Sequence, residues 1–154
     1  MKIYKMKIYL AGPCDSENRT LMNKIADFLT EQSVDVYCPW KLKIENAWDM
    51  PQEEWARKVF DADVKAMNEC DGAIMISFGR ISSAGTNWEN GYMYAMKKPV
   101  HILQIGKEKT SLMTYCGCST FCYVKDSTEL FSELSWIVDH FGIEYHWECE
   151  TILT

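Results

Sequence analysis

The sequence has no long hydrophobic run, no low-complexity segment and no cluster of basic residues. No apolar stretch approaches the roughly 20 residues of a membrane-spanning helix, and no apolar signal core precedes a small-residue cleavage site. Lys and Arg number 16 against 22 Asp and Glu, a formal net charge of -6, so the chain lacks the electrostatic footprint of a nucleic-acid backbone binder. These absences predict a cytoplasmic protein that binds neither a membrane nor polymeric nucleic acid.

The length and composition are those of one globular domain. The chain has 154 residues, of which 47% are hydrophobic and 25% are charged, and a domain of this size buries roughly 70% of its unfolded surface. We therefore predict a single domain over residues 1–154. Residues 1–5 contain a Lys-Ile-Tyr tripeptide that recurs at 7–9, so they are either a short extension or lengthen the first strand; residues 143–154 form a tail.

Seven cysteines are scattered along the chain, and this odd number favours free thiols in a reducing compartment over a disulfide framework. Cys116, Cys118 and Cys122 lie close together in sequence, and with Cys149 or His146 they could form a zinc site. The paired Cys-x2-Cys spacing of structural zinc sites is missing. We therefore predict small buried hydrophobic side chains and no metal.

Hydrophobic periodicity alternates between that of strands and that of helices. The first strand runs into the turn Gly12-Pro13, and segments 72–78 and 99–105 are continuously apolar, which indicates strands covered on both faces. The other predicted strands are 34–38 and 120–124. The predicted helices are 17–32, 52–69, 87–97 and a last one marked by Leu130, Leu134, Ile137, Val138 and Phe141.

This alternation predicts an α/β fold, namely a doubly wound, five-stranded parallel sheet with helices on both faces and right-handed crossovers. Ligands of such sheets bind at the carboxyl ends of the strands, near the point where the strand order reverses. The candidate binding loops are therefore 11–16, 39–51, 79–86 and 106–119.

The segment Ser82-Ser83-Ala84-Gly85-Thr86-Asn87-Trp88-Glu89 follows a buried strand and opens a helix. Backbone N–H groups at such a helix start, together with the helix dipole, form a natural anion site. Glu89 has two interpretations. It either closes a capping box with Thr86, returning a hydrogen bond to the Thr86 N–H, or it projects into the crevice as a reactive carboxylate.

Four short segments follow one another along the chain in a fixed order. They are Lys7-Ile8-Tyr9-Leu10-Ala11-Gly12-Pro13, Cys70-Asp71-Gly72-Ala73, Gly85-Thr86-x-x-Glu89-x-Gly91-Tyr92 and Lys98-Pro99-Val100. Over roughly residues 6–140 this set resembles the nucleoside 2-deoxyribosyltransferase family. The resemblance implies a flavodoxin-like domain that cleaves the N-glycosidic bond of 2′-deoxynucleosides, with Glu89 as nucleophile. Attack on C1′ and opening of the covalent deoxyribosyl-enzyme from the same face would retain the configuration.

The resemblance also implies roles for two further residues. Asp63 matches the family's helix aspartate near the leaving base, and Tyr9 matches the tyrosine that holds the nucleophile. Asp63 shares a helix face with apolar residues, so its carboxyl group either lines a site or is paired with a partner at the edge of that face. The alternative for Tyr9 is a side chain that only packs in the core. Trp40 and Trp48 in the 39–51 loop either stack on a nucleobase or fold back onto the domain.

Position 83 departs from the pattern of the base-exchanging enzymes. They carry an aspartate six residues before the nucleophile, which holds the sugar 5′-hydroxyl, whereas this sequence has Ser83. Related hydrolases of 2′-deoxynucleoside 5′-monophosphates have serine there and a second serine from the neighbouring subunit, which Ser111-Leu112-Met113 resembles. Serine removes a repulsion of roughly 3 kcal/mol per unit charge between an aspartate and a phosphate about 5 Å away.

The loop after the first strand argues against a monophosphate substrate. The monophosphate hydrolases carry an arginine in this loop, where this sequence has Gly12-Pro13-Cys14-Asp15. Arg19, Lys41 or Arg80 could substitute for it, but Asp15 would oppose an anion.

We therefore expect an enzyme that breaks the N-glycosidic bond of a 2′-deoxynucleoside or its 5′-monophosphate, with hydrolysis of the monophosphate slightly favoured. Base exchange on free nucleosides and a non-catalytic nucleotide-binding sensor are the alternatives. The expected substrate contacts are Gly12, Ser83, Gly85, Thr86, Ser111, Met113, Trp40 and Trp48. No cofactor is implied. If Ser111 serves a neighbour's site, the protein is a homodimer or larger homo-oligomer.

Overall fold

The computed structural model describes residues 4–146. Its strands are β1 (Lys7–Ala11), β2 (Asp35–Tyr37), β3 (Gly72–Ser77), β4 (Val100–Ile105), β5 (Thr120–Val124) and β6 (Tyr145–His146). Its α-helices are α1 (Arg19–Glu31), α2 (Gln52–Glu69), α3 (Ala84–Ala95), α4 (Leu112–Cys116) and α5 (Ser127–Asp139). Within the described range, no helix is both long and apolar enough to cross a membrane.

The strands form one parallel sheet in the order β2-β1-β3-β4-β5-β6. Successive side chains of a strand point to opposite faces. Ile8 and Leu10 therefore pack in the layer of α1 and α5, whereas Tyr9 and Ala11 pack in the layer of α2 and α3. Because β2 and β3 lie on opposite sides of β1, the strand order reverses there, and a crevice opens at the carboxyl ends of β1 and β3.

The predicted α/β fold is confirmed, with all five predicted strands parallel in one sheet. The two residues of β6, which belong to the predicted 143–154 tail, extend the sheet beyond β5. The prediction of a loop over 106–119 is wrong in part, because α4 lies within it. At five residues α4 is shorter than the window over which helical periodicity can be recognised.

The amino-terminal residues that the structure describes do not lengthen β1. Tyr4 is exposed, and its hydroxyl donates a hydrogen bond to the Asp71 carboxylate, which also accepts the Lys7 N–H. Of the two alternatives for residues 1–5, the described part therefore fits a short extension that is tied to the start of β3.

The described cysteines divide into two groups. Of the clustered cysteines, Cys118 and Cys122 are buried as predicted, whereas Cys116 is exposed, so the prediction of a buried side chain is wrong there. Cys38 and Cys70 are also buried, and Cys14 is exposed. Among the side chains that the structure describes, no group of three or more His, Cys, Asp or Glu could hold a metal ion. Two side chains considered for a zinc site, those of His146 and Cys149, lie outside the described part.

Lys98 holds the carboxyl end of α2. Its ammonium group donates hydrogen bonds to the carbonyl oxygens of Met67 at 2.9 Å and of Asn68 and Cys70 at 2.6 Å. The last carbonyls of a helix have no partner within it, and a cation there also opposes the negative end of the helix dipole. This contact fixes α2, which carries Asp63, against the loop before β4.

His101 on β4 is fully buried and links the sheet to the turn after α5. Its Nδ1 lies 2.7 Å from Thr120 Oγ1, and its Nε2 accepts the Gly142 N–H at 3.1 Å, so the proton of the neutral ring is on Nδ1. Burial lowers the pKa of His101 to about 4. The unfolded histidine titrates near 6.5.

We therefore expect acid to destabilise the fold through His101. The stability that depends on a neutral ring is complete above about pH 6.5 and is lost as the pH falls towards about 4, a change of about 3 kcal/mol in the free energy of unfolding. Urea unfolding across this interval measures it. The His101→Gln variant cannot gain the proton and should lose less stability on acidification; equal losses in both proteins would contradict this account.

Candidate active site

A cavity of about 660 Å³ opens at the carboxyl ends of β1 and β3. It is lined by Gly12, Pro13, Cys14, Asp15, Glu17, Asn18, Ile76, Phe78, Ile81, Ser82, Ser83, Gly85, Thr86 and Glu89. Apart from Ile76, which lies in β3, these residues come from the loops after β1 and β3 and from the first two turns of α3. Two of the candidate binding loops, 11–16 and 79–86, therefore meet at the predicted edge of the sheet.

The start of α3 decides between the two interpretations of Glu89. Ser83 is the N-cap, and its Oγ accepts the Thr86 N–H at 3.2 Å. The helix thus begins three residues before the predicted start at Asn87, which moves Glu89 out of the first turn and into the second. The capping-box interpretation is wrong, because the Thr86 N–H is bonded to Ser83 and the Glu89 carboxylate is engaged elsewhere.

The hydroxyl group of Tyr9 orients the carboxylate of Glu89. The Tyr9 hydroxyl donates a hydrogen bond of 2.6 Å to Glu89 Oε1, while its fully buried ring packs in the core between β1 and α2. Core packing and a contact with the acid were alternatives for Tyr9, and the structure shows both. Burial and the neighbouring Glu89 raise the pKa of Tyr9, so the hydroxyl keeps its proton and remains a donor.

The carboxyl group of Glu89 titrates near neutral pH. Burial raises the pKa of Glu89 to about 7, although the Tyr9 hydrogen bond lowers it, and the nearby Asp63 carboxyl contributes to the rise. A carboxyl group in this state exchanges its proton around neutral pH, whereas an exposed glutamate is fully ionised there. Perturbed carboxyls in a cleft are typical of catalytic sites.

Asp63 lies beside Glu89 and has a tyrosine partner of its own. The Tyr37 hydroxyl donates a hydrogen bond of 2.8 Å to Asp63 Oδ1. Burial raises the pKa of Asp63, and this hydrogen bond opposes the rise. The sequence interpretation did not identify Tyr37, although its place at the carboxyl end of the predicted strand 34–38 was a signal.

A second cavity, of about 400 Å³, adjoins the first and is mostly apolar. It is lined by Trp55, Ala56, Val59, Phe60, Asp63, Val64, Met67, Gly85, Trp88 and Glu89. Gly85 and Glu89 line both cavities, so the carboxylate of Glu89 lies between an aromatic cavity and one that carries more polar and charged side chains. Trp55 was recognisable in the sequence, because it precedes Asp63 by eight residues on the same helix face.

The predicted aromatic contacts of the 39–51 loop are not at this site. Trp40 Nε1 donates a hydrogen bond of 2.8 Å to Asn23 Oδ1, and the ring packs on the core beside α1. Trp48 is completely exposed. Neither residue lines either of the two cavities, whereas Trp55 and Trp88 line the second.

The predicted polar contacts separate into two places. Gly12, Ser83, Gly85 and Thr86 line the first cavity, and the Thr86 hydroxyl contacts both Ser83 Oγ at 2.6 Å and the Gly12 carbonyl oxygen at 3.3 Å. A Cβ at Gly12 would lie 2.6 Å from Met22 Cε and 3.3 Å from Ile76 Cβ, so the Met22 side chain would have to shift to admit it.

Ser111 and Met113 lie elsewhere. Ser111 is the N-cap of α4 and accepts the Met113 N–H at 3.2 Å, and the Met113 side chain is 82% exposed. Both line a separate cavity of about 410 Å³ on the other side of α3, with Asn87, Asn90 and Thr114. Within one chain they do not meet Glu89.

Carboxylates dominate the charge around the first cavity. Asp15, Glu17 and Glu89 line it, whereas no Lys or Arg is among the lining residues that the structure describes. Of the candidate cations, Arg19 donates a hydrogen bond of 2.8 Å from its guanidinium to the carbonyl oxygen of the lining residue Cys14. Asn18 donates to the Asp15 carboxylate through its backbone and side chain, which lowers the pKa of Asp15 and keeps it ionised.

Comparisons with known proteins agree with this architecture. A family profile described as Nucleoside 2-deoxyribosyltransferase matches residues 8–145. A 2-deoxyribosyltransferase from Bacillus psychrosaccharolyticus is 26% identical, with a TM-score of 0.67 over 83% of this chain and 95% of that one. No curated protein matches by sequence.

Two further structures share the fold at lower identity. The CMP N-glycosidase BcmB of Clostridium botulinum is 22% identical, with a TM-score of 0.62 over 84% of this chain and 98% of that one. A conserved protein from Enterococcus faecalis V583 is 18% identical, with a TM-score of 0.58 over 86% and 99%. The profile spans nearly all of the described domain, and it is the profile, more than these two likenesses, that decides the family. The chain belongs to the nucleoside 2-deoxyribosyltransferase family and is an enzyme of the class that transfers or hydrolyses N-glycosidic bonds.

Proposed function

We propose that the protein cleaves the N-glycosidic bond of a 2′-deoxynucleoside or its 5′-monophosphate through a covalent bond between Glu89 and C1′. The observation that carries the proposal is the placement of two partly buried acids side by side, with Glu89 lining both cavities and Asp63 lining the apolar one. Glu89 is oriented by Tyr9, and Asp63 is oriented by Tyr37. One acid can attack the sugar while the other protonates the base.

The reaction proceeds in two steps. In the first, an ionised Glu89 oxygen bonds to C1′, and the base leaves with the electron pair of the C–N bond and takes a proton from Asp63. In the second, water or another base attacks C1′ from the face that the first base left and gives its proton to the Asp63 carboxylate, while Glu89 departs as a carboxylate. Two displacements at C1′ retain the configuration.

The two cavities suggest how a substrate lies across the site. Asp63 lines the apolar cavity, so the base belongs there, against the rings of Trp55 and Trp88. The sugar then spans Gly85 and Glu89, and its 5′ end points into the first cavity beside Ser83 and Thr86. Gly85 has no neighbour within 4 Å of a Cβ position, which leaves its backbone open to the sugar.

Two candidates for the 5′ group follow from different observations. Ser83 and the first N–H groups of α3 can accommodate a phosphate, because a helix N-terminus attracts anions. Asp15 and Glu17 line the same cavity and repel one. The sequence slightly favoured the monophosphate; the charges around the cavity favour the free nucleoside, and we place it first.

Incubation with dCMP, dGMP, deoxycytidine and deoxyinosine, each with and without a second free base, tests the proposal. Chromatography measures the released base and any new nucleoside. Base release from free nucleosides supports the first candidate, and a new nucleoside identifies transfer. Release from monophosphates alone would support the hydrolase, and no release from any of the four would contradict the proposal.

The pH dependence should report the ionisation of Glu89. A substrate that needs no acid isolates it, such as nicotinamide 2′-deoxyriboside, whose base is already cationic and leaves as a neutral molecule. Its kcat/KM should rise about tenfold per pH unit up to a midpoint near the Glu89 pKa of about 7 and then level off, since only the carboxylate attacks.

Tyr9→Phe should move that midpoint upwards, because it removes a hydrogen bond that favours the carboxylate. A midpoint in the ordinary range of an exposed glutamate, unchanged by the variant, would argue against Glu89 as nucleophile.

We further propose that Ser111 and Met113 complete the site of a neighbouring copy, since they lie outside their own. The protein would then be a homodimer or larger homo-oligomer in the cytoplasm. Light scattering at micromolar concentration should show at least a dimer, and Ser111→Ala should raise KM more than it lowers kcat. A fully active monomer would refute the shared site.

A further inference from the structure

Two stacked tyrosines lie next to the two acids, and each tyrosine donates a hydrogen bond to a different carboxyl group. Tyr9 on β1 and Tyr37 on β2 are paired in register, and their rings stack with centroids 5.4 Å apart and planes inclined by 21°. Tyr9 reaches Glu89 at 2.6 Å, and Tyr37 reaches Asp63 at 2.8 Å. The proposed nucleophile and the proposed acid are therefore held by matching donors from neighbouring strands.

The contact between Tyr37 and Asp63 leaves one carboxyl oxygen available. Tyr37 binds Oδ1, and within residues 4–146 no hydrogen-bond partner is present for Oδ2. Asp63 lines the apolar cavity. Burial and Asp63 itself raise the pKa of Tyr37, so its hydroxyl stays protonated and can only donate to a charged Asp63.

We propose that Tyr37 is a positioning residue for proton transfer: it fixes Asp63 through Oδ1 so that Oδ2 presents the proton to the leaving base. This inference rests on the proposed function of the two acids. As the C–N bond breaks, its electron pair goes to the base nitrogen, the proton moves from Oδ2 to that base, and Asp63 becomes a carboxylate. The Tyr37 hydrogen bond then becomes charge-assisted, so it stabilises Asp63 most after the proton has left.

Other groups also act on Asp63, and the test has to separate them. Glu89 on α3, Tyr9 on β1 and Cys14 in the loop after β1 all interact with it electrostatically. Tyr37→Phe leaves these three groups and the stacked ring in place and removes one hydroxyl. Tyr92→Phe is the matched control, because the Tyr92 hydroxyl donates to the neutral Asn68 side chain at 3.0 Å.

Carbon-13 NMR of the aspartate carboxyls tests the contact without any substrate. The Asp63 resonance is identified by its loss in Asp63→Asn. Its titration midpoint should move upwards by about one pH unit in Tyr37→Phe, because a hydrogen bond to the charged form is lost, and should stay in place in Tyr92→Phe. A midpoint that does not move in Tyr37→Phe would overturn the inference whatever the protein catalyses.

Kinetics test the role in proton transfer. Tyr37→Phe should lower kcat about tenfold or more for a deoxynucleoside, whose base needs the proton, and leave nicotinamide 2′-deoxyriboside nearly unaffected. Equal losses on both substrates, or none on either, would overturn the inference and leave the proposed function standing. A wild-type protein inactive on both substrates would overturn the proposed function and this role with it.

Discussion

Replacing Glu89 by glutamine should lower the rate of base release on the order of 10⁴-fold, because an amide oxygen is a far weaker nucleophile than a carboxylate. The substitution keeps the size of the side chain and an oxygen that can accept the Tyr9 hydroxyl. The loss should therefore appear in kcat, with little change in substrate affinity or in the melting temperature.

Mass spectrometry gives the more direct measurement. Rapid quenching of the wild-type protein with a deoxynucleoside should yield an adduct of one deoxyribosyl group on the peptide that contains Glu89, and Glu89→Gln should yield none. Glu31→Gln, on the exposed end of α1, is the matched control and should keep both activity and adduct. Adduct formation that persists in Glu89→Gln would place the nucleophile elsewhere.

The same variant separates an enzyme from the nucleotide-binding sensor that the sequence left open. A sensor would bind a deoxynucleoside equally well with glutamate or glutamine at position 89 and would show no wild-type turnover to lose. The family match already makes the protein an enzyme. Turnover that depends on the carboxylate of Glu89 would connect that class to this particular side chain.

The second large effect is expected at Asp63. Asp63→Asn should lower kcat for a deoxynucleoside by about 10² to 10³-fold, since the amide has nearly the same shape but cannot protonate the base. The kcat for nicotinamide 2′-deoxyriboside should stay nearly unchanged, because its base leaves without a proton. Steady-state kinetics measure the loss of kcat on each of the two substrates, and the two losses are then compared.

Asp61→Asn is the control for this experiment. Asp61 is exposed on α2, two residues before Asp63, so the change alters the charge of the same helix without altering the site. It should leave both substrates unaffected. If Asp63→Asn slowed the two substrates equally, Asp63 would act in binding or folding and the assignment of the general acid would be wrong.

The helices and strands that frame the site were readable from the sequence wherever the pattern was long or uninterrupted. α2 has the bounds that its periodicity predicted, and β3 and β4 follow the continuous apolar runs closely. These features depend on neighbours in sequence, which is why they are accessible without coordinates. α4 was missed because five residues carry too little periodicity.

The candidate site was predicted in part. The resemblance named Glu89, Tyr9 and Asp63, and the structure brings the first two into direct contact. The two tryptophans chosen from the 39–51 loop line neither cavity, because a loop has no periodicity that shows which way a ring points. Trp55 shares a face of α2 with Asp63, a relation that the helical spacing showed, and Trp88 directly precedes Glu89 on α3.

The sequence by itself determined the order along the chain of the first five strands and of every helix except α4, and the parallel sheet that these strands form. Those properties follow from local periodicity, turn residues and the handedness of crossovers. Only the tertiary structure decided which side chains meet. Tyr9 and Glu89 are 80 residues apart, and Tyr37 and Asp63 are 26 apart. Contacts of that range depend on strand register and helix rotation, which the packing of the whole core sets.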